Sequence, residues 1–381
     1  MKMRSILLSV LAIAVLAGCA KNNELPGDPD VNAKEAVVTL RLKGNGSTRA
    51  AGVPGDLDTK NSTVNDLTVF FFDGDALVNK VYQATVTGST VMDVKTTTSA
   101  KQAVVVANIG SDQTTTGIFA SVTSRTTFMA ATANLLKDGN PVQNDEKVYM
   151  SGEGTITYDA TGKEGSVTIP LNFVAARIDL KVIDFSGAIG KGSVYGTHFS
   201  VASIYLMRAQ RWTNFLPTGA DESLKYISKE NRKFAGGVTW ESTTTTVPAD
   251  YRVHEEYRVT TIPGALTANK MEDLGHWYVF DNNELDEPTV LVVKVNWKKN
   301  GTTDTPLFFN VTFNGNDQMR IRSGNTYQVN LKLNGNFKPG DDGGTGGGGE
   351  GDPDTPTVDA AVDITVTPAT WTPNLIEKEW N

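Results

Sequence analysis

Apolar and polar residues alternate in the same way at both ends of this chain. Near the start, Glu35-Ala36-Val37-Val38-Thr39-Leu40-Arg41-Leu42 places Ala36, Val38, Leu40 and Leu42 on one face of an extended segment. Near the end, Val358-Asp359-Ala360-Ala361-Val362-Asp363-Ile364-Thr365-Val366 does the same with Ala360, Val362, Ile364 and Val366. Each stretch follows a Gly-Asp-Pro-Asp leader, and the two align without a gap at an offset of 324 residues. Period-two alternation is what a half-buried strand requires. Two interchangeable strands in one chain predict one groove with two candidates to fill it. Acidic Gly/Pro leaders also occur in plain linkers, and alternating strands occur in any all-β protein, so the match alone leaves both readings open.

The pattern between the two ends is β-rich. Strands are predicted at Leu67–Phe72, Ala103–Ala107, Val167–Leu171, Ala176–Val182, Val201–Met207, Trp277–Phe280, Val290–Trp297, Leu307–Phe313 and Tyr327–Leu333. Thr, Val and aromatic residues dominate these runs, and Gly/Asn/Asp clusters such as Asp73-Gly74-Asp75 separate them. One helix is predicted over Thr127–Lys137, with Ala130, Ala131, Leu135 and Leu136 inward. The body holds about 290 residues, too many for one small sandwich and suited to two, with a boundary near residue 175. Residues 335–357 read as a linker, because the run Gly343-Gly344-Thr345-Gly346-Gly347-Gly348-Gly349 cannot hold a core. The tail at 358–381 carries Trp371 and Trp380 beside its strand pattern. It reads as a segment that binds something, or as a further strand folding back on its own domain.

The start of the chain changes the picture. Lys2 and Arg4 precede an apolar run, Ile6 to Leu16, that is too short to span a bilayer. It ends in Leu16-Ala17-Gly18-Cys19, which resembles the bacterial lipobox and makes Cys19 the expected lipidation site after removal of a signal peptide, residues 1–18. Cys19 is the single cysteine, so an internal disulfide is excluded. After the first strand, Gly44-Asn45-Gly46-Ser47-Thr48-Arg49-Ala50-Ala51-Gly52 sets a lone Arg among small polar residues, as protease sites prefer. A trypsin-like cut between Arg49 and Ala50 would release residues 19–49 with the Ala36–Leu42 strand. The groove left behind would invite another strand.

Candidate chemistry adds little. Formal net charge is −8 with no basic patch, which argues against nucleic-acid binding. The only histidines, His198, His254 and His276, lack metal-ligand spacing, and no HExxH or GxSxG occurs. No cofactor, metal site or catalytic residue is expected, and the chain is not read as an enzyme. Asp28, Asp30, Asp352 and Asp354 read as solvated linker carboxylates. Arg208, Arg211 and Trp212 could stack on a sugar or a partner, or simply end a strand of mixed polarity.

Taken in order, the lipobox at Cys19, Thr48-Arg49-Ala50, Leu67–Phe72 with Asp73-Gly74, Val104-Val105-Val106-Ala107-Asn108, Val174-Ala175-Ala176-Arg177, Gly275-His276-Trp277-Tyr278-Val279 and Asn325-Thr326-Tyr327-Gln328-Val329-Asn330-Leu331 resemble the FimA-type major fimbrial subunits of Bacteroidales type V pili. The tail Val362–Trp371 with a terminal Trp380-Asn381 fits as well, and the resemblance covers essentially the whole chain. It implies an all-β chain of two transthyretin-like β-sandwich domains in tandem, 50–174 and 175–334, with a flexible C-terminal donor-strand tail. It implies an outer-membrane lipoprotein precursor, held by its lipid anchor during export and cut after Arg49 by an Arg-specific surface protease. The mature subunit would then enter an extracellular fimbrium. There the tail, through Val358, Ala360, Val362, Ile364, Val366 and Trp371, would fill the groove vacated by Ala36, Val38, Leu40 and Leu42 in another copy. Partners would be further copies of the chain and the anchor and tip pilins. The alternatives are an anchor or tip role, a monomeric surface lipoprotein binding glycan or host protein, and a hydrolase whose site is invisible in sequence.

Overall fold

A computed structural model of the chain describes residues 33–44, 63–86, 90–137, 140–145, 147–218, 253–259, 261–283, 288–313, 320–341 and 360–368. Its elements begin with β1 (Glu35–Gly44), β2 (Leu67–Asp73), β3 (Ala76–Gln83), β4 (Thr90–Thr97), β5 (Gln102–Ala107) and α1 (Arg125–Met129). There follow β6 (Thr132–Asn134), β7 (Leu136–Lys137), β8 (Asn140–Pro141), β9 (Met150–Thr155), β10 (Thr157–Tyr158) and β11 (Glu164–Phe173). Strands in this half run in the order β3-β2-β5-β9-β11-β1-β4, with β10 beside β11. The path folds over where β11 passes from one layer to the other. β11 pairs with β9 only through Asn172 and Phe173, while its earlier residues pair with β1 and β10.

The alternation in β11 is complete: Gly165, Val167, Ile169, Leu171 and Phe173 are buried and the residues between them are exposed. One face of that layer therefore meets solvent. β2 behaves differently, since Leu67 through Phe72 are all buried. A strand covered on both faces reads as a continuous apolar run. The cover over Phe70 and Phe72 comes from residues 109–131. The Phe119 ring stands edge-on to Phe70, with centroids 5.0 Å apart, and the Phe128 centroid lies 4.8 Å from that of Phe70. The turn after β2 needs Gly74, whose φ is +58°.

The second half contains β12 (Ala176–Asp184), α2 (Ser186–Gly190), β13 (Phe199–Met207), β14 (Trp212–Asn214), β15 (Val253–Val259) and β16 (Lys270–Val279). It ends with β17 (Val290–Trp297), β18 (Thr305–Thr312), β19 (Asn325–Leu333) and β20 (Ala360–Pro368). Two four-stranded sheets form here, β16-β12-β19-β20 and β15-β13-β17-β18. Ile178, Leu180, Val293, Phe309 and Val329 fill the space between them, and Phe337 packs against Phe199, Trp297 and Phe309.

The two halves are joined by more than chain connectivity. β14, from the second half, pairs antiparallel with β6 of the first, Trp212 opposite Asn134 and Asn214 opposite Thr132. Phe215 then enters the aromatic cluster of the first half, its ring 5.2 Å from Phe119 and 6.3 Å from Tyr149. The Ser151 hydroxyl donates to the Phe215 carbonyl.

The helix expected over Thr127–Lys137 is a correction. α1 covers only Arg125–Met129, capped by Ser124, whose side chain accepts from the Thr127 N–H. Ala130, assigned to the inner face, is exposed, and the chain straightens into β6. The β14 backbone supplies the hydrogen bonds that a longer helix would have made internally, and Thr132 favours the extended form. Every other expected strand is present, most within a residue or two at each end, although β11 and β16 extend further than read.

Candidate functional site

β1 occupies a slot inside the first sandwich. It pairs parallel with β11 over eight register positions, Val37 opposite Glu164 through Gly44 opposite Leu171. On its other side it pairs antiparallel with β4, Glu35 opposite Thr97 through Arg41 opposite Thr90. A strand flanked on both sides has nearly all its backbone groups satisfied by neighbours. The slot's mouth adds further bonds: Val37 N–H donates to the Lys163 carbonyl at 2.9 Å, and Thr98 N–H donates to the Lys34 carbonyl at 2.9 Å.

The expected apolar row lies where the alternation places it. Val38 and Leu40 are 0% exposed, and Ala36 and Leu42 are 3% exposed. Val38, Leu40 and Leu42 belong to the same core cluster as Phe71, Val167 and Ile169. At about 1.5–3 kcal/mol for each large side chain, this row contributes several kcal/mol of burial. The opposite row carries polarity. Thr39 donates its hydroxyl to an Asp93 carboxylate oxygen at 2.7 Å, and Arg41 is exposed. The β1–β4 register shifts between Val38 and Leu40, where β4 carries one more residue than β1, and Asp93 sits at this bulge. A cleft of about 750 Å³ opens at the start of β1 between β3 and β4, lined by Ala36, Thr39, Val78, Asn79 and Asp93 among others.

β9 closes the other layer tightly. A Cβ at Gly152 would lie 2.1 Å from the Pro170 carbonyl oxygen of β11. Only glycine allows that approach of backbones.

The second copy of the pattern is β20. It lies at the edge of the sheet β16-β12-β19-β20 and pairs antiparallel with β19 alone, over nine positions. The register sets Ala360, Val362, Ile364 and Val366 opposite Leu333, Leu331, Val329 and Tyr327. All four partners are buried inward residues of β19. The tail therefore folds back on its own chain here, one of the two readings its pattern left open. Cys19, Arg49, Ala50, Val358 and Trp371 lie outside the described residues. Sequence reasoning did not find β4 or Asp93. Thr90-Val91-Met92-Asp93-Val94-Lys95 breaks strict alternation, because the bulge inserts a residue.

Where the halves meet, a small polar network surrounds Asp145. It accepts from the Tyr278 hydroxyl at 2.8 Å and lies 2.7 Å from His276 Nε2. Burial pushes the Asp145 carboxyl upward, but the Tyr278 hydrogen bond and the nearby His276 outweigh it and hold it below the ordinary value. Burial and the adjacent carboxylate push the Tyr278 hydroxyl upward. Among the described residues no group of three or more His, Cys, Asp and Glu could hold a metal.

Two family models match the chain. One, described as FimA-like major fimbrial subunit protein, C-terminal domain, matches residues 175–371. The other, described as major fimbrial subunit protein (FimA), matches residues 36–196 and so includes β1. Among solved structures, a candidate cell adhesion protein of Bacteroides eggerthii is 28% identical, with 91% of this chain and 98% of that one covered and a TM-score of 0.68. A candidate cell adhesion protein of Parabacteroides distasonis is 18% identical, covering 90% and 99% of the two chains, with a TM-score of 0.57. A fimbrilin of Porphyromonas gingivalis is 16% identical over 88% and 98%, with a TM-score of 0.56, and shares the fold. The sequence matches no curated protein.

Proposed function

The chain belongs to the family of FimA-like major fimbrial subunits, and from this premise we propose that it is the stalk subunit of a surface fimbrium assembled by strand exchange. The family is one of structural subunits, not enzymes. In this reading the precursor is exported as a lipoprotein acylated at Cys19. An Arg-specific surface protease cuts between Arg49 and Ala50. Residues 19–49 then leave with β1, and the tail of another copy takes its slot. The functional units are domains 50–174 and 175–334, the linker 335–357, whose first residues pack on the second domain through Phe337, and the donor tail 358–381. Anchor and tip pilins would end the filament.

The observation that carries this reading is the difference between the two places a strand of this pattern can sit. β20 makes one ladder at the edge of its own sheet. β1 lies between two strands, with eight register pairs on one side and six on the other. A tail moving from an edge into such a slot gains a second ladder and buries an apolar row on a core already built to receive it. At the offset of 324 residues, Ala360, Val362, Ile364 and Val366 take the places of Ala36, Val38, Leu40 and Leu42. A contact in which the tail of one copy enters the body of the next does not close on itself and yields an open filament.

The test compares two single charges in the tail. Ile364→Asp would bring a carboxylate into the apolar row, at a cost of several kcal/mol. Thr365→Asp, one residue on, belongs to the outward row and is tolerated. After treatment with an Arg-specific protease, polymer ladders on unboiled gels are expected from Thr365→Asp and not from Ile364→Asp. Equal ladders would mean that the tail is not the donor or that its register is different.

A further inference from the structure

We propose that the cleft where the two sandwiches meet is a binding site for a carboxylate-bearing sugar. The cleft has a volume of about 630 Å³ and is built from both halves of the chain. Among the described residues, its two charged lining groups are Lys147, from the first half, and Arg211, from the second, and none of the described residues that line it is acidic. In a chain of net charge −8 this is a local reversal of sign, and it selects an anion.

Arg211 is held for the purpose. Its carbonyl accepts from the Leu135 N–H at 2.7 Å, and its neighbour Trp212 is fixed in the β14–β6 ladder. The guanidinium lies 5.9 Å from the Trp212 ring centre. The Arg211 Nε is buried and has no hydrogen-bond partner. A buried donor without an acceptor is costly, and a ligand oxygen would satisfy it once the guanidinium turned toward the cleft. The guanidinium fork suits a carboxylate in particular. On the facing wall Lys147 lies over Gly110, where an added Cβ would stand 2.2 Å from its Nζ. Behind that wall Asp66 accepts from the Gly110 N–H at 2.9 Å. Burial pushes the Asp66 carboxyl upward, against the Gly110 hydrogen bond and the Lys147 charge, which lower it.

The remaining walls explain why the anion would be a sugar. Ser111, Gln113 and Asn134 offer neutral hydrogen-bonding groups of the kind that meet hydroxyls. Ile118 and Val142 offer apolar surface for the C–H face of a ring, and Ile118 is one of the few large apolar side chains exposed among the described residues. A compact inorganic anion would leave both kinds of wall unused. The volume accommodates one or two sugar rings.

The experiment measures binding of D-glucuronate to the full chain by calorimetry, with glucose and acetate as controls. Saturable binding of glucuronate is expected, with both controls weaker. Lys147→Gln and Arg211→Gln should each weaken it by about tenfold, the effect of losing one charge-assisted hydrogen bond. Arg211→Lys keeps the charge without the fork and should fall between. Lys147→Gln changes a half-buried turn residue and keeps the test open if an Arg211 variant does not fold. An oligomer of glucuronate that binds more tightly than the monomer would make a polysaccharide the source, and equal affinity would make it the free acid. Absence of saturable glucuronate binding, unchanged affinity in the folded variants, or acetate binding as tightly as glucuronate would each overturn the proposal.

Discussion

Leu40→Ala separates the two lives of the slot. Leu40 is 0% exposed, faces Val167 of β11 and Val91 of β4 in register, and sits in the main core cluster. Truncating a fully buried leucine costs about 2–5 kcal/mol, the transfer term plus the cavity left behind. For a domain of this size each kcal/mol shifts the melting temperature by about 2–4 °C, so the uncleaved chain should melt roughly 4–20 °C lower. Arg41→Ala, on the exposed row of the same strand, should shift it by no more than about 0.5 kcal/mol. After a cut at Arg49 the outcome reverses. The altered leucine leaves with the released segment, so the final polymer yield should equal that of the unaltered chain. Release should be faster, by roughly thirtyfold at the lower end of the estimate. Circular-dichroism melts of the uncleaved chain and a time course of polymer ladders after proteolysis provide both readouts. An unchanged melt would mean that β1 does not contribute to the core. A lower final yield would mean that β1 remains in the polymer.

Three further outcomes test other parts of the structure. Asp363→Thr should improve the tail as a donor, because position 363 replaces Thr39, whose hydroxyl donates to Asp93, and two carboxylates facing each other in water cost about 1 kcal/mol at 4 Å. In mixed polymerisation its advantage should shrink at high salt, and equal incorporation of both tails at low salt would refute the register. Asp145→Asn should destabilise the chain near neutral pH; since the folded carboxyl titrates below its ordinary value of 3.8, this stability is present above that pH and fades as pH falls further. Denaturant midpoints should therefore differ at pH 6 and draw together as the pH is lowered below 3.8, and a gap constant with pH would remove the ionic explanation. Phe215→Ala should cost about 3–5 kcal/mol at the joint between the halves and split one calorimetric transition into two, whereas a single transition at the original temperature would mean that the ring does not couple them.

The strands that bury one clean face were legible from the chain. β1 and β11 alternate without a break, and their inward residues are the ones the pattern names. Continuous apolar runs such as Leu67–Phe72 were legible as strands, but not the reason for their continuity, which lies in a cover supplied by Phe119 and Phe128 some fifty residues away. β6 and β14 were not legible at all. Each is three residues long, and each is extended only because the other is there. The same holds for β4, whose bulge disrupts the pattern that would announce it. The repeat between β1 and β20 was visible as a pattern, yet the pattern cannot choose among partners. Val362 and Ile364 are equally suited to line up with β19 or to replace Val38 and Leu40.

The placement of β1 between a parallel and an antiparallel neighbour has a mechanical meaning. A strand seated in that slot and pulled along its length strains its rungs on both sides together, in shear. The rungs of an edge strand peeled sideways give way one after another. A donor in the slot would thus resist tension by many weak bonds failing at once, and its lifetime under load would follow the rate of that collective rupture. Nothing covalent is needed for this. The single cysteine lies before Arg49, so a subunit cut there carries no thiol, and a filament built of such subunits would bear load equally well under reducing or oxidising conditions.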